Sequence, residues 1–131
     1  MTSIKDLLQT ADWKSEKHVP VIEAPDTIKK GDSVKVTLTV GKEIPHPNTT
    51  EHHIRWIEVY FHPRGEKFPY QIGRFEFNSH GESVQAPNAS TIYTQPAVVC
   101  NFKTEKSGAI LASSYCNIHG LWESAKELTV E

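Results

Sequence analysis

The chain has little of what would place it in several large classes. Two cysteines among 131 residues, with no export signal, are expected as the reduced thiols of Cys100 and Cys116 rather than a disulfide. A single methionine, Met1, leaves no thioether in the interior of the sequence. No apolar run nears the roughly 20 residues of a membrane span. The opening MTSIKDLLQTADWK lacks the apolar core of a secretory signal. A formal net charge of −2 gives no whole-molecule attraction to nucleic acid or anionic lipid, so handling of an anion would rest on a local positive patch. Repeats, low-complexity tracts and linkers are absent. These absences predict a single cytoplasmic domain over residues 1–131, with no nucleic-acid partner and no membrane association.

Helical periodicity is equally scarce. Ile4, Leu7, Leu8 and Ala11 fall on one helical face, and Ser3 with Asp6 resembles a capping box. Residues 3–11 are therefore read as a short N-terminal helix or turn that must dock on something. Beyond them the pattern is β. Residues 33–40 alternate, with Val34, Val36, Leu38 and Val40 on one face. Residues 54–61 are β-branched and aromatic, with Ile57, Val59 and Phe61 on a shared face. Segments 71–77, 91–93, 97–102, 109–115 and 128–130 supply further short strands, separated by Gly- and Pro-containing turns. The predicted fold class is all-β, a sandwich or barrel.

What the chain does have is histidine, seven in all. Five of them fall in three short segments outside strand interiors, Glu16-Lys17-His18-Val19-Pro20, His46-Pro47-Asn48-Thr49-Thr50-Glu51-His52-His53 and Cys116-Asn117-Ile118-His119-Gly120. Loops at one end of a sandwich are where such groups usually act. Cys-x-x-His lets a thiolate and an imidazole reach one ion from a single turn, and that donor pair selects transition metals over magnesium or calcium. His46 and His52 flank a turn that can fold back on one centre, although two exposed loop histidines would have the same spacing. His53 would point away from His52 if the strand has begun. His18 alone could simply be packing.

Taken together, His18, His46, His52, His119 and Cys116 make five donors. A structural zinc closes its shell with four. Blue copper wants two histidines, a cysteine and a distant methionine. Four imidazoles with an axial thiolate leave one octahedral position open, which suits iron and means chemistry rather than electron storage.

The same three motifs, in this order and at compatible spacing, resemble the superoxide reductase family, also called neelaredoxin, whose catalytic domain recurs in desulfoferrodoxins. The resemblance covers nearly the whole chain. It implies an immunoglobulin-like β-sandwich holding one iron per chain that cycles between Fe(2+) and Fe(3+). It further implies that His18, His46, His52 and His119 are equatorial ligands and that Cys116 is the axial thiolate. It selects His52 over His53, makes Glu16 the residue able to take the sixth position, and puts Lys17 beside the open site. The activity implied is one-electron reduction of superoxide to hydrogen peroxide, with N–H groups of Ile118 and His119 tuning the sulfur. A rubredoxin-type electron donor and a homo-oligomer, tetramer or dimer, are implied as partners. The four-cysteine module of desulfoferrodoxins is missing, since Cys100 alone cannot build a second iron centre.

Two other readings compete. A cupredoxin-like electron-transfer protein would also be a β-sandwich with Cys and His at one end, but lacks the methionine here. An immunoglobulin-like binding module would leave the histidine cluster incidental. Trp13, Trp56 and Trp122 are read as core or site-wall aromatics, Cys100 as a buried strand residue, and His62 and His80 take no role.

Overall fold

The computed structural model describes residues 1–131. Eight strands form, β1 (Pro20–Glu23), β2 (Thr27–Ile28), β3 (Ser33–Val40), β4 (Ile54–Pro63), β5 (Tyr70–Glu76), β6 (Ala97–Lys103), β7 (Gly108–Cys116) and β8 (Gly120–Val130). They make two sheets, one ordered β1-β3-β6 and the other β2-β8-β7-β4-β5. Only β2 runs parallel to its neighbour, β8. This is the predicted all-β sandwich, immunoglobulin-like in its two facing sheets.

The alternation read in β3 is what closes the sandwich. Val34, Val36 and Leu38 are fully buried and Val40 nearly so. They face Ile57, Val59 and Phe61 of β4, Ile110 and Ala112 of β7, and Leu128 of β8 in one core cluster. A bulge between Ile54 and Trp56, against β7, shifts the phase of β4. Ile54 and Ile57 therefore both point inward despite their odd spacing.

Several elements escaped the sequence reading. β8 is eleven residues long, although only 128–130 carried a strand signal. Ser124 and Lys126 share its inward face with Trp122 and Leu128 and break the apolar alternation. They are used instead to bond the segment around β1, Ser124 Oγ donating to the Pro20 carbonyl and Lys126 Nζ pairing with Asp26. β1 and β2 are too short for a periodic signal. Residues 91–93 form an isolated bridge from Tyr93 to His80 rather than a strand. Cys100 is only half-buried because β6 is an edge strand.

The N-terminal helix shrinks to one turn, Ile4–Leu7. Ile4 and Leu7 stay exposed, contrary to the expectation of a docked helix. Gln9 instead lies along β8, its N–H donating to the Leu121 carbonyl (3.0 Å) and its carbonyl accepting from Glu123 N–H (2.8 Å). A four-residue helix is marginal alone, and edge pairing competes successfully for the residues that follow it.

Ile57 is wholly buried between the sheets. Ile57→Ala should cost about 2–5 kcal/mol, seen as a lower urea midpoint with an unchanged slope.

Candidate metal centre

Strand pairing gathers the histidine segments at one end of the sandwich. Pro20 at the start of β1 pairs with Val40 at the end of β3, so His18 and the loop bearing His46 are neighbours. Ile54 at the start of β4 pairs with Cys116 at the end of β7, which sets His52 beside the Cys116 turn. Cys116 also pairs with Gly120, closing a hairpin over three residues. Gly120 takes φ 83, the left-handed conformation such a turn requires, and this turn carries Cys116 and His119 together. At the other loop Gly41, φ 85, packs so closely that a β-carbon would lie 2.5 Å from His46 N.

The four imidazoles stand in a ring. Adjacent centroids are separated by 4.8 Å for His18–His46, 4.8 Å for His46–His52, 5.0 Å for His52–His119 and 4.8 Å for His119–His18. The His18–His52 diagonal is 6.5 Å, so the ring is close to a square. His18, His52, His119 and Cys116 present ligand atoms all within 4.8 Å of one another. His46 stands outside that tight group of four but occupies the remaining corner. His53 turns away and stacks on His80, although β4 begins only at Ile54.

The donor atoms are identifiable. His119 Nδ1 lies 3.1 Å from His18 Nε2, 3.2 Å from His52 Nε2 and 3.9 Å from Cys116 Sγ. Two imidazoles bound to one ion at roughly 2.1 Å would hold their nitrogens about 3.0 Å apart at a right angle and about 3.4 Å apart in a tetrahedron. The observed spacings fall between these values, within reach of a single ion. His46 Nδ1–H donates to the Pro47 carbonyl (2.6 Å), which leaves Nε2 with a bare lone pair, buried and without a hydrogen-bond partner. An orphaned buried nitrogen at the fourth corner is what a metal ligand looks like without its ion. These donors fit a transition metal.

Supporting contacts fix each ring. Glu16 Oε1 accepts from His18 Nδ1–H (2.7 Å) and from His18 N–H, a carboxylate–histidine pair that fixes the tautomer and turns Nε2 inward. Glu16 therefore stands behind His18 in this conformation, outside the cluster of donor atoms. Trp122 stacks on His18 at 4.8 Å and 12° and walls the site, while its Nε1–H and Gln9 Nε2–H both donate to the His119 carbonyl (3.3 and 3.1 Å). His119 N–H donates to Cys116 Sγ (3.4 Å). Ile118, named with it in the sequence reading, presents an exposed side chain and makes no hydrogen bond to the sulfur. Cys116 is completely buried. Gln9, far away in sequence, carried no signal of this contact.

Burial lowers the basicity of the imidazoles. His46 is pushed down to about 4, chiefly by desolvation and then by the nearby His18, His52 and Lys17, partly offset by the Pro47 carbonyl. His18 and His52 are lowered by the same leading cause, and Lys17 contributes to both. Lys17 is thus within electrostatic reach of three of the four rings. Neutral imidazoles are the ligating form. The unfolded chain takes up a proton at His46 near 6.5, whereas the folded chain does so only near 4. Stability conferred by the neutral ring is complete above 6.5 and is lost as the pH falls from 6.5 to 4. Metal-free protein should show a falling thermal midpoint across that window, and His46→Gln should flatten the fall.

Comparisons with known proteins agree with this geometry. The family model described as Desulfoferrodoxin matches residues 10–125. The superoxide reductase of Pyrococcus furiosus is 59% identical over 128 residues, covering 98% of this chain and 99% of the relative. Neelaredoxin of Megalodesulfovibrio gigas is 53% identical over 126 residues, covering 96% and 97%. Among solved structures, the Thermotoga maritima homologue superposes with a TM-score of 0.97 at 59% identity, covering 100% of this chain and 99% of that one. The reduced superoxide reductase (neelaredoxin) of Archaeoglobus fulgidus gives a TM-score of 0.87 at 61% identity, covering 94% and 98%. With fold, motifs and donor geometry in agreement, the chain belongs to the desulfoferrodoxin family, among its superoxide reductases.

Proposed function

We propose that this chain is a superoxide reductase acting at one mononuclear non-haem iron, which the imidazoles of His18, His46, His52 and His119 and the thiolate of Cys116 would hold. The near-square of four imidazoles beside a buried thiolate carries the reading. Superoxide takes one electron and two protons to give hydrogen peroxide. Iron held by these residues would supply the one-electron chemistry between Fe(2+) and Fe(3+). A cupredoxin-like reading fits less well, because it leaves two imidazoles unused and the only methionine is the exposed Met1.

The side chains divide the remaining work. Cys116 donates charge through its sulfur, as thiolates do opposite the oxygen site of P450-type haems. The His119 N–H on that sulfur moderates the donation. Lys17 draws in the anion, and through bound water it holds a proton near the open side. Glu16 keeps His18 oriented while bonded to its Nδ1. Its implied role as a sixth ligand requires it to swing off that bond, making the Glu16-Lys17 segment a small lid. The electron comes from a rubredoxin-type protein in the cytoplasm. The chain works as one iron-binding domain over residues 1–131, assembled as a tetramer or dimer. No helix in it is long and apolar enough to cross a membrane.

The deciding test is iron content with a visible spectrum of the oxidised protein. About one iron per chain with a thiolate-to-ferric band supports the proposal, and one copper or no metal after iron supply overturns it. Cys116→Ser should lose both the band and reductive turnover while the far-UV dichroism is kept; normal turnover by iron-loaded Cys116→Ser would remove the thiolate from the mechanism. Lys17→Met should lower the rate constant for superoxide about 10-fold at low salt and flatten its ionic-strength dependence, measured by pulse radiolysis.

A further inference from the structure

Segment 49–53 carries His52 to its corner of the ring, yet no strand holds it before Ile54. Two asparagines grip it from opposite sides. Asn117, between the donors Cys116 and His119, accepts the His53 N–H at Oδ1 (2.9 Å) and donates from Nδ2 to the Glu51 carbonyl (2.9 Å). Its own N–H donates to the His53 carbonyl (3.2 Å). On the far side Asn88 accepts the Thr50 N–H at Oδ1 (2.8 Å) and donates from its N–H to Thr50 Oγ1 (3.2 Å). Asn88 Nδ2 also reaches both Glu51 carboxylate oxygens (3.1 and 3.0 Å).

Asn88 has φ 62 and is the one non-glycine residue in the left-handed region. Asparagine tolerates that conformation better than other non-glycine residues, and it persists where the surroundings over-determine it. Glycine would occupy the site without strain, so the asparagine is explained by what its side chain holds. Behind the segment, the buried His53 ring stacks on the equally buried His80 at 3.5 Å and 8°. Thr50 Oγ1 donates to the His80 carbonyl (2.8 Å) and His53 Nδ1–H to the Thr49 carbonyl (2.9 Å). None of these groups is a proposed ligand. All of them fix where His52 stands relative to Cys116 and His119.

We propose that Asn117 and Asn88 are positioning residues of the metal centre, a pair of clamps that set the separation of His52 from the Cys116–His119 turn. The proposal rests on the ligand set given above and adds the residues that impose its spacing. Outer contacts that orient a ligand typically contribute 10–100-fold to metal affinity. A purely structural role would lower stability and leave the metal's electronic signature alone.

The test uses the full chain as wild type, Asn117→Ala, Asn88→Gly and Asn88→Asp. Iron-loaded samples are measured for the energy of the ferric thiolate band and for reduction potential, and metal-free samples for cobalt(II) affinity by chelator competition. Asn117→Ala and Asn88→Gly should each lose about 10–100-fold in cobalt(II) affinity and shift the ferric band. Asn88→Gly should do so without a lower thermal midpoint, because glycine relieves the backbone, and it carries the test if Asn117→Ala fails to fold. Asn88→Asp, nearly isosteric but set against the Glu51 carboxylate, should be worse than Asn88→Gly. Wild-type band, potential and affinity in Asn88→Gly would overturn the clamps while leaving the ligand set standing. A wild-type chain with no thiolate–metal band would overturn the ligand set and the clamps together.

Discussion

Mutual repulsion of bare donor atoms is the constraint on which this end of the molecule turns. Three imidazole nitrogens and a thiol sulfur lie within 4.8 Å of one another, and a fourth imidazole nitrogen is buried beside them without a partner. With every inward atom deprotonated for ligation, lone pairs at such spacings repel, and burial of His18 and Cys116 thins the screening water on their side. The protein holds them together through their outer faces. His18 is held by Glu16, His46 by the Pro47 carbonyl, and the His119 backbone by Trp122 and Gln9. Each contact uses a proton or a carbonyl on the side away from the centre, so the inward atoms stay free for a cation.

That arrangement dictates the role of the sandwich. A closed apolar core of β3 against β4, β7 and β8 is stiff enough to oppose the repulsion, because packed interiors do not deform continuously. The strand ends feeding the site are locked by register. Val40 opposes Pro20, and Cys116 opposes both Ile54 and Gly120. Candidate donors from three separate stretches of chain therefore meet without any one loop having to be rigid by itself. The bulge at the start of β4 belongs to the same design, since it lets Ile54 anchor in the core immediately after the loop that delivers His52.

Electrostatics complete the separation of functions. Desolvation lowers the proton affinity of His46, His18 and His52, while Lys17 adds a positive charge close enough to be felt at all three. In a chain of net charge −2, Lys17 is a local positive charge beside the cluster that the whole molecule does not supply. The sulfur is buried while the His119 ring edge reaches the surface, so the cluster is open to solvent on its His119 side.

The sequence by itself determined the β-sandwich, through the alternation of residues 33–40 and 54–61, and pointed to a thiolate–imidazole metal site through Cys116-x-x-His119, while the choice of His52 within the donor set came from the family resemblance. His53 faces away from His52 although β4 begins only at Ile54, held there by its stacking on His80 and its bonds to Asn117 and Thr49. The silences of the sequence have physical causes. β8 hid behind Ser124 and Lys126, inward residues that serve hydrogen bonds rather than core packing. Gln9 reaches the His119 carbonyl across 110 positions, and Asn88 reaches Thr50 and Glu51 across 38 and 37. Contacts at that range leave no local periodicity to read. Only the tertiary structure decided that Glu16 backs His18 in this conformation, that His46 stands as the fourth corner, and how far apart the donors lie. Spacing between groups distant in the chain is set by register and packing, which no single segment contains.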